Sequence, residues 1–152
     1  MATQYTAGLT TGQVLTAATM NSIGAAYETY TPTWSGLTVG NGTQAFYYGR
    51  INKLVYGYGT LTLGSTSSVT GPVTFTLPVT ARSTVVWGNT RLTDAGNADY
   101  QGLCGDSSTT AARVTALKTD GTYLQTVALS STVPFTWGST DTITVYFLYE
   151  AA

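Results

Sequence analysis

The chain has no histidine, and Asp, Glu, Lys and Arg together supply only 9% of its 152 residues. Chemistry near neutral pH draws mostly on groups that titrate or coordinate, so these absences narrow the functions open to it. Zinc and similar ions lose their usual nitrogen ligand, and a Ser–His or Cys–His nucleophile has no base. Cysteine is nearly absent too: Cys104 stands alone, which excludes an intrachain disulfide and a disulfide-built secreted scaffold. Between Leu103 and Gly105 it reads as a buried strand cysteine. No apolar run approaches the ~20 residues that cross a bilayer, so no membrane insertion is expected. The N-terminus lacks a basic start followed by an apolar run, so no signal peptide is expected and synthesis in a cytoplasm is.

Six basic and seven acidic residues leave a net charge of −1. The bases are dispersed, with only Arg50 and Lys53 close together, so capture of nucleic acid is not expected. Low charge near neutrality instead favours association, as in a subunit of an assembly. At this length one domain is expected, burying about two-thirds of the extended chain's surface.

What the chain has in quantity is Thr, Gly and Tyr, the last two at 17 and 11 residues, set in alternating patterns. Residues 1–30 differ from the rest. Residues 16–27 fit a short helix with Thr16 as N-cap and Thr19, Ile23 and Tyr27 on one face. Gly24 weakens it and three turns are marginal alone, so it must lean on its own domain or a neighbouring subunit. The expected division is an anchoring or oligomerising arm at 1–30 and a β-domain at 31–152. Leu9, Val14, Leu15, Met20, Ile23 and Tyr27 are the candidate anchoring residues.

From Thr31 the pattern is β. Extended segments are expected at 31–34, 43–51, 54–63, 73–77, 84–92, 100–104, 113–117, 123–129 and 142–149, with a hairpin at Asp120-Gly121. In 54–63, Leu54, Tyr56 and Tyr58 share one face. Gly57, Gly59, Leu61 and Leu63 share the other, where the glycines offer a smooth floor for an opposing element. In the last segment Ile143, Val145, Phe147 and Tyr149 oppose Thr144, Tyr146 and Leu148. About eight or nine strands without βαβ spacing imply an all-β fold, an antiparallel β-sandwich with a short N-terminal helix and arm. A jelly roll is the expected topology.

Candidate chemistry is sparse. Asp94 with Asp99, or Asp106 with Asp120, are the carboxylate pairs to consider, but all four sit in turns where Asp bonds its own backbone. Residues 94–99 lack the ligand spacing of a helix-loop-helix calcium site. Gly57-Tyr58-Gly59 lies inside a strand and is no phosphate loop. A Ser–Lys pairing is only formally available. No cofactor is expected, and the chain reads as non-enzymatic. Tyr56, Tyr58 and Tyr146 form an aromatic stripe with three readings: sheet packing, an intersubunit contact or glycan binding. With Trp87 and Trp137, Tyr56 and Tyr58 are the candidates for surface recognition.

Residues 27–43, opening Tyr27-Glu28-Thr29-Tyr30-Thr31-Pro32-Thr33-Trp34 and closing Gly40-Asn41-Gly42-Thr43, resemble the start of a domain in virion proteins of actinobacterial tailed phages and prophages. The resemblance continues through Tyr48-Gly49-Arg50-Ile51-Asn52-Lys53-Leu54-Val55, through 59–66, and through Gly71-Pro72-Val73-Thr74-Phe75-Thr76-Leu77-Pro78-Val79. Upstream, Gly12-Gln13-Val14-Leu15-Thr16-Ala17-Ala18-Thr19-Met20-Asn21 is similar to leaders that precede it. The family's usual basic strand pair near Arg50 is reduced here to Arg50 and Lys53. The resemblance spans most of 8–80 and thins beyond Ala81. It implies a structural protein of the virion, assembled in the host cytoplasm, on a capsid as decoration or head fibre, or as a minor tail protein. It also implies other virion proteins as partners and a homo-oligomer, often a trimer. Independently of the resemblance, a sandwich with exposed Tyr and Trp offers the alternative of a minor tail or tail-tip protein that binds a host-surface carbohydrate or receptor. No catalytic residue carries over.

Overall fold

The computed structural model describes Val14 and residues 26–152. The helix expected at 16–27 and the candidates Leu9, Leu15, Met20 and Ile23 lie outside the described residues, while Ala26 and Tyr27 belong to no helix or strand. The strands are β1 (Glu28–Tyr30), β2 (Trp34–Thr38), β3 (Thr43–Ile51), β4 (Leu54–Thr62) and β5 (Ser68–Thr76). They continue with β6 (Ala81–Asp94), β7 (Ala98–Asp106), β8 (Ala111–Asp120), β9 (Tyr123–Ala128) and β10 (Thr142–Ala151). The sheet thus begins at Glu28, before the expected domain start at Thr31, because Glu28–Tyr30 pairs with Phe46–Tyr48 of β3.

All-β and antiparallel are both observed. The 10 strands form one sheet in the order β1-β3-β4-β10-β6-β7-β8-β5-β2, with β9 beside β8. It curls through 260° into a half-barrel. Consecutive strands β1 and β2 occupy opposite edges of this order, so residues 31–33 tie the two edges together. The tie is hydrogen-bonded: Thr76 N–H donates to Thr33 O and Thr33 N–H to Thr76 Oγ1, both at 3.0 Å. Trp34 then reaches across to β3, its indole N–H donating to Gln44 Oε1 at 2.8 Å.

Strand alternation places the core inside the curl. Phe46, Leu61, Phe75, Leu92, Val114 and Val145 are fully enclosed, each burial contributing about 1.5–3 kcal/mol. The glycine floor of β4 receives what the pattern anticipated. Phe46 of β3 lies over Gly59 and Phe147 of β10 over Gly57, so close that a Cβ at either glycine would come within 2.6 Å of a ring carbon. Tyr30, Trp34 and Phe75 complete the aromatic cluster around these two rings.

Tight turns follow residue chemistry. Asn52 at φ 54° turns β3 into β4, a left-handed position that Asn tolerates. Pro72 falls within β5, where the 73–77 pattern did not reach. It sits opposite the irregularity in β2–β5 pairing between Ser35 and Leu37, where the lost ladder bond is tolerated. The long connection before β10 is pinned by the buried Asp141 carboxylate. It accepts from the backbone N–H of Ala95 at 2.9 Å and of Gly138 at 2.6 Å.

Two outcomes test this packing. Gly59→Ala is expected to cost about 1–3 kcal/mol by forcing Phe46 from its place. Urea denaturation should show this as a lower midpoint at unchanged slope, and a change within ~0.5 kcal/mol would refute the floor. The second concerns alkali. Burial pushes the Cys104 thiol up to about 12 from its ordinary 9.0. Burial likewise raises the phenols of Tyr30 and Tyr149 beyond the usual range. The unfolded chain therefore releases these protons first, and stability declines as pH rises. Urea midpoints should hold below pH 9.0 and fall toward pH 12, with Cys104→Ala removing the earliest part of the decline. A flat profile would mean these groups are not shielded.

Candidate functional site

The outer face of the same strands carries the site. Because side chains alternate, the residues between the buried Val55, Gly57 and Gly59 point outward, and these are Tyr56 and Tyr58. On β10 the outward residues are Tyr146 and Leu148, and on β6 they include Trp87 and Asn89. Register aligns them in rows. Tyr146 stands between Tyr58 and Asn89, and Leu148 between Tyr56 and Trp87.

The result is an open groove of about 550 Å³. Tyr58 and Tyr146 lie nearly parallel, with ring centroids 6.3 Å apart and 24° between planes. Tyr47 extends this band on β3, 5.3 Å from Tyr58. Tyr56 leans over the neighbouring strand because Gly49 leaves it room; a Cβ there would be 2.6 Å from the Tyr56 hydroxyl. Tyr27 closes one end, its ring edge-on to both Tyr56 at 5.5 Å and Tyr58 at 5.4 Å.

Trp87 is the most exposed aromatic of the groove, at 71%. Its surroundings differ from those of the other tryptophans. Trp137 is half-buried against Phe135, and its N–H donates to Ser130 O at 3.0 Å and Val133 O at 3.2 Å. Trp34 spends its N–H on Gln44. The Trp87 N–H has no partner among the described residues. The same holds for the Tyr56, Tyr58 and Tyr146 hydroxyls and the Asn89 amide.

Among the described residues no acidic or basic side chain lines the groove, and Arg91 lies within electrostatic reach of Tyr146. The nearest pairs neutralise themselves: Arg91 with Asp99 at 2.7 Å, and Arg82 with Glu150 at 2.8 Å. The Arg91 guanidinium and a Thr93 hydroxyl hold the Asp99 carboxyl below its ordinary range. Elsewhere the Tyr48 phenol is pushed up to about 12, by burial first and by its hydrogen bond to Glu28 second.

Of the residues expected to mediate recognition, the structure brings Tyr56, Tyr58 and Trp87 together and leaves Trp137 in the loop before β10. Tyr27, expected in the anchoring arm, joins the groove instead, and Val14 is exposed. Asn89 and Leu148 complete the lining and were missed as site residues. Leu148 could have been found by extending the Tyr146 face of β10, whereas Asn89 is placed only by β6–β10 register. Three of the four candidate carboxylates are engaged locally: Asp94 accepts from the Asn97 amide, Asp99 from Arg91 and Thr93, and Asp120 from Lys118. Among the described residues, no three of Cys, Asp and Glu gather as a metal site would require.

Compared with protein-family models, curated proteins and solved structures, the chain matches none. The site therefore stands on its geometry.

Trp87 should dominate the solvent-accessible fluorescence. Trp87→Phe is expected to remove most acrylamide-quenchable emission while leaving stability within ~0.5 kcal/mol, as for a surface position. Retention of that emission in the variant would place Trp87 in a covered environment.

Proposed function

We propose that this chain is a non-enzymatic structural protein of a phage virion. In this reading it is anchored by residues 1–30 and displayed on the particle as a capsid decoration or head-fibre subunit. The observation that carries the reading is the junction at Tyr27. A leader with no charged side chain as far as Tyr27 meets a β-domain that carries all thirteen of them, which suits a body attached through its N-terminal segment. The resemblance of residues 8–80 to actinobacterial phage domains supplies the particle. Asp94, Asp99 and Asp120 lie in strands rather than in the expected turns, and their engagement by neighbouring side chains supports the absence of catalysis. The spatial order β6-β7-β8-β5 is a Greek key, the unit from which jelly rolls are built, and it supports that kinship. Low charge supports close packing of copies, with a trimer as the proposed assembly. A minor tail protein is the alternative station and uses the same anchor.

Deleting residues 1–26 leaves every strand intact in sequence and removes the anchor. The truncated protein should fold, by its circular dichroism and urea midpoint, yet fail to enter particles assembled in its presence. Undiminished incorporation would refute anchoring through the leader.

A further inference from the structure

We propose that the groove between Tyr58, Tyr146 and Trp87 binds a neutral oligosaccharide. This goes beyond the virion reading and does not rest on it, since the groove's chemistry is independent of where the protein sits.

Three features select the ligand. The first is the aromatic lining: Tyr58 is stacked between Tyr47 and Tyr146, and the more exposed Tyr146 ring and Trp87 indole offer the apolar surface. Sugar rings present C–H faces that cover such surfaces. The second is the set of unspent polar groups. The Trp87 N–H, the Asn89 amide and three tyrosine hydroxyls have no partner among the described residues, although the other two tryptophans spend theirs within the fold. Aromatic bodies with free polar tips suit a ligand that is apolar on its faces and hydroxylated at its rim. A purely apolar partner surface would leave those groups desolvated and unpaired, at a cost. The third is the missing charge. With Arg91 and Arg82 already paired, the groove has nothing to hold a phosphate, sulfate or uronate, so the sugar is uncharged. Single-stranded nucleic acid, which also stacks on aromatics, requires a basic track that is absent here.

The open shape implies binding along a chain rather than capture of one residue, because an open groove encloses little of a monosaccharide. Tyr146 and Trp87 supply the aromatic contact, Tyr58 braces Tyr146 from behind, and Asn89 gives direction through donor and acceptor atoms.

The test titrates the full chain with neutral hexasaccharides of glucose, mannose, galactose and N-acetylglucosamine up to ~10 mM, following indole fluorescence. At least one should give a saturable shift. Trp87→Ala and Tyr146→Ala should each weaken it roughly tenfold or more, as for central contacts. Tyr123→Ala, which alters an equally exposed ring on β9 outside the groove, should leave it unchanged. No saturable response to any sugar, or a response that survives both groove variants, would overturn the proposal. So would a Trp87 signal that changes with protein concentration alone while sedimentation reports an oligomer abolished by Trp87→Ala, since the face would then be a contact between copies. Particle incorporation by the Trp87→Ala protein separates failure here from failure of the anchoring reading.

Discussion

The close approach of two phenylalanine rings to bare backbone at Gly57 and Gly59 governs both sides of the sheet. Phe46 and Phe147 come from the strands on either side of β4, and both need the volume that side chains at 57 and 59 would fill. Their burial fixes the inner face of β4, and a one-residue slip would exchange every inner residue for an outer one. The register that seats the phenylalanines therefore also sends Tyr56 and Tyr58 outward beside Tyr146. Core and groove are two consequences of one alternation.

That coupling explains which parts were legible in the sequence. The division of β4 and β10 into two faces followed directly from period-two patterning, and burial shows which face is inner. Legibility stopped where pairing takes over from pattern. The beginning of β5 contains Thr70, Gly71 and Pro72, weak strand formers individually, and is held by β2 across an irregular register. β1 shows no alternation long enough to read in three residues, and it is strand because β3 offers an edge. The groove was half legible for the same reason. Tyr56, Tyr58 and Tyr146 announce themselves as a stripe, but only the order β4-β10-β6 brings Trp87 and Asn89 alongside. Trp137 illustrates the reverse failure, an aromatic that looked available and is spent on the carbonyls of its own loop.

Scarcity of charge acquires a spatial meaning in the fold. The three ion pairs among the described residues are exposed and contribute little to stability. Two of them nevertheless border the groove and cancel there, so the uncharged interior of the groove is bounded by charges already satisfied. Asp141 is the contrasting case: a buried carboxylate accepting two backbone N–H bonds, it organises the loops at one end of the sheet. Its neighbours are backbone groups rather than another acid, which is the arrangement of a structural pin.

Tyr27 connects the two readings of this chain. Its ring rests edge-on against Tyr56 and Tyr58, so Tyr27 itself sits at one end of the groove. The exposed tip of the β8–β9 hairpin, with Tyr123 at 76% and Leu124 at 70%, is a separate apolar surface. If the leader is the anchor, the groove lies toward the attached side, and a sugar chain must reach it laterally. An open groove running across three strands is suited to that approach, whereas a closed pocket facing the particle would not be. Anchoring and sugar binding are thus compatible on one face, provided that the leader fixes the body by its margin and leaves the aromatic rows uncovered.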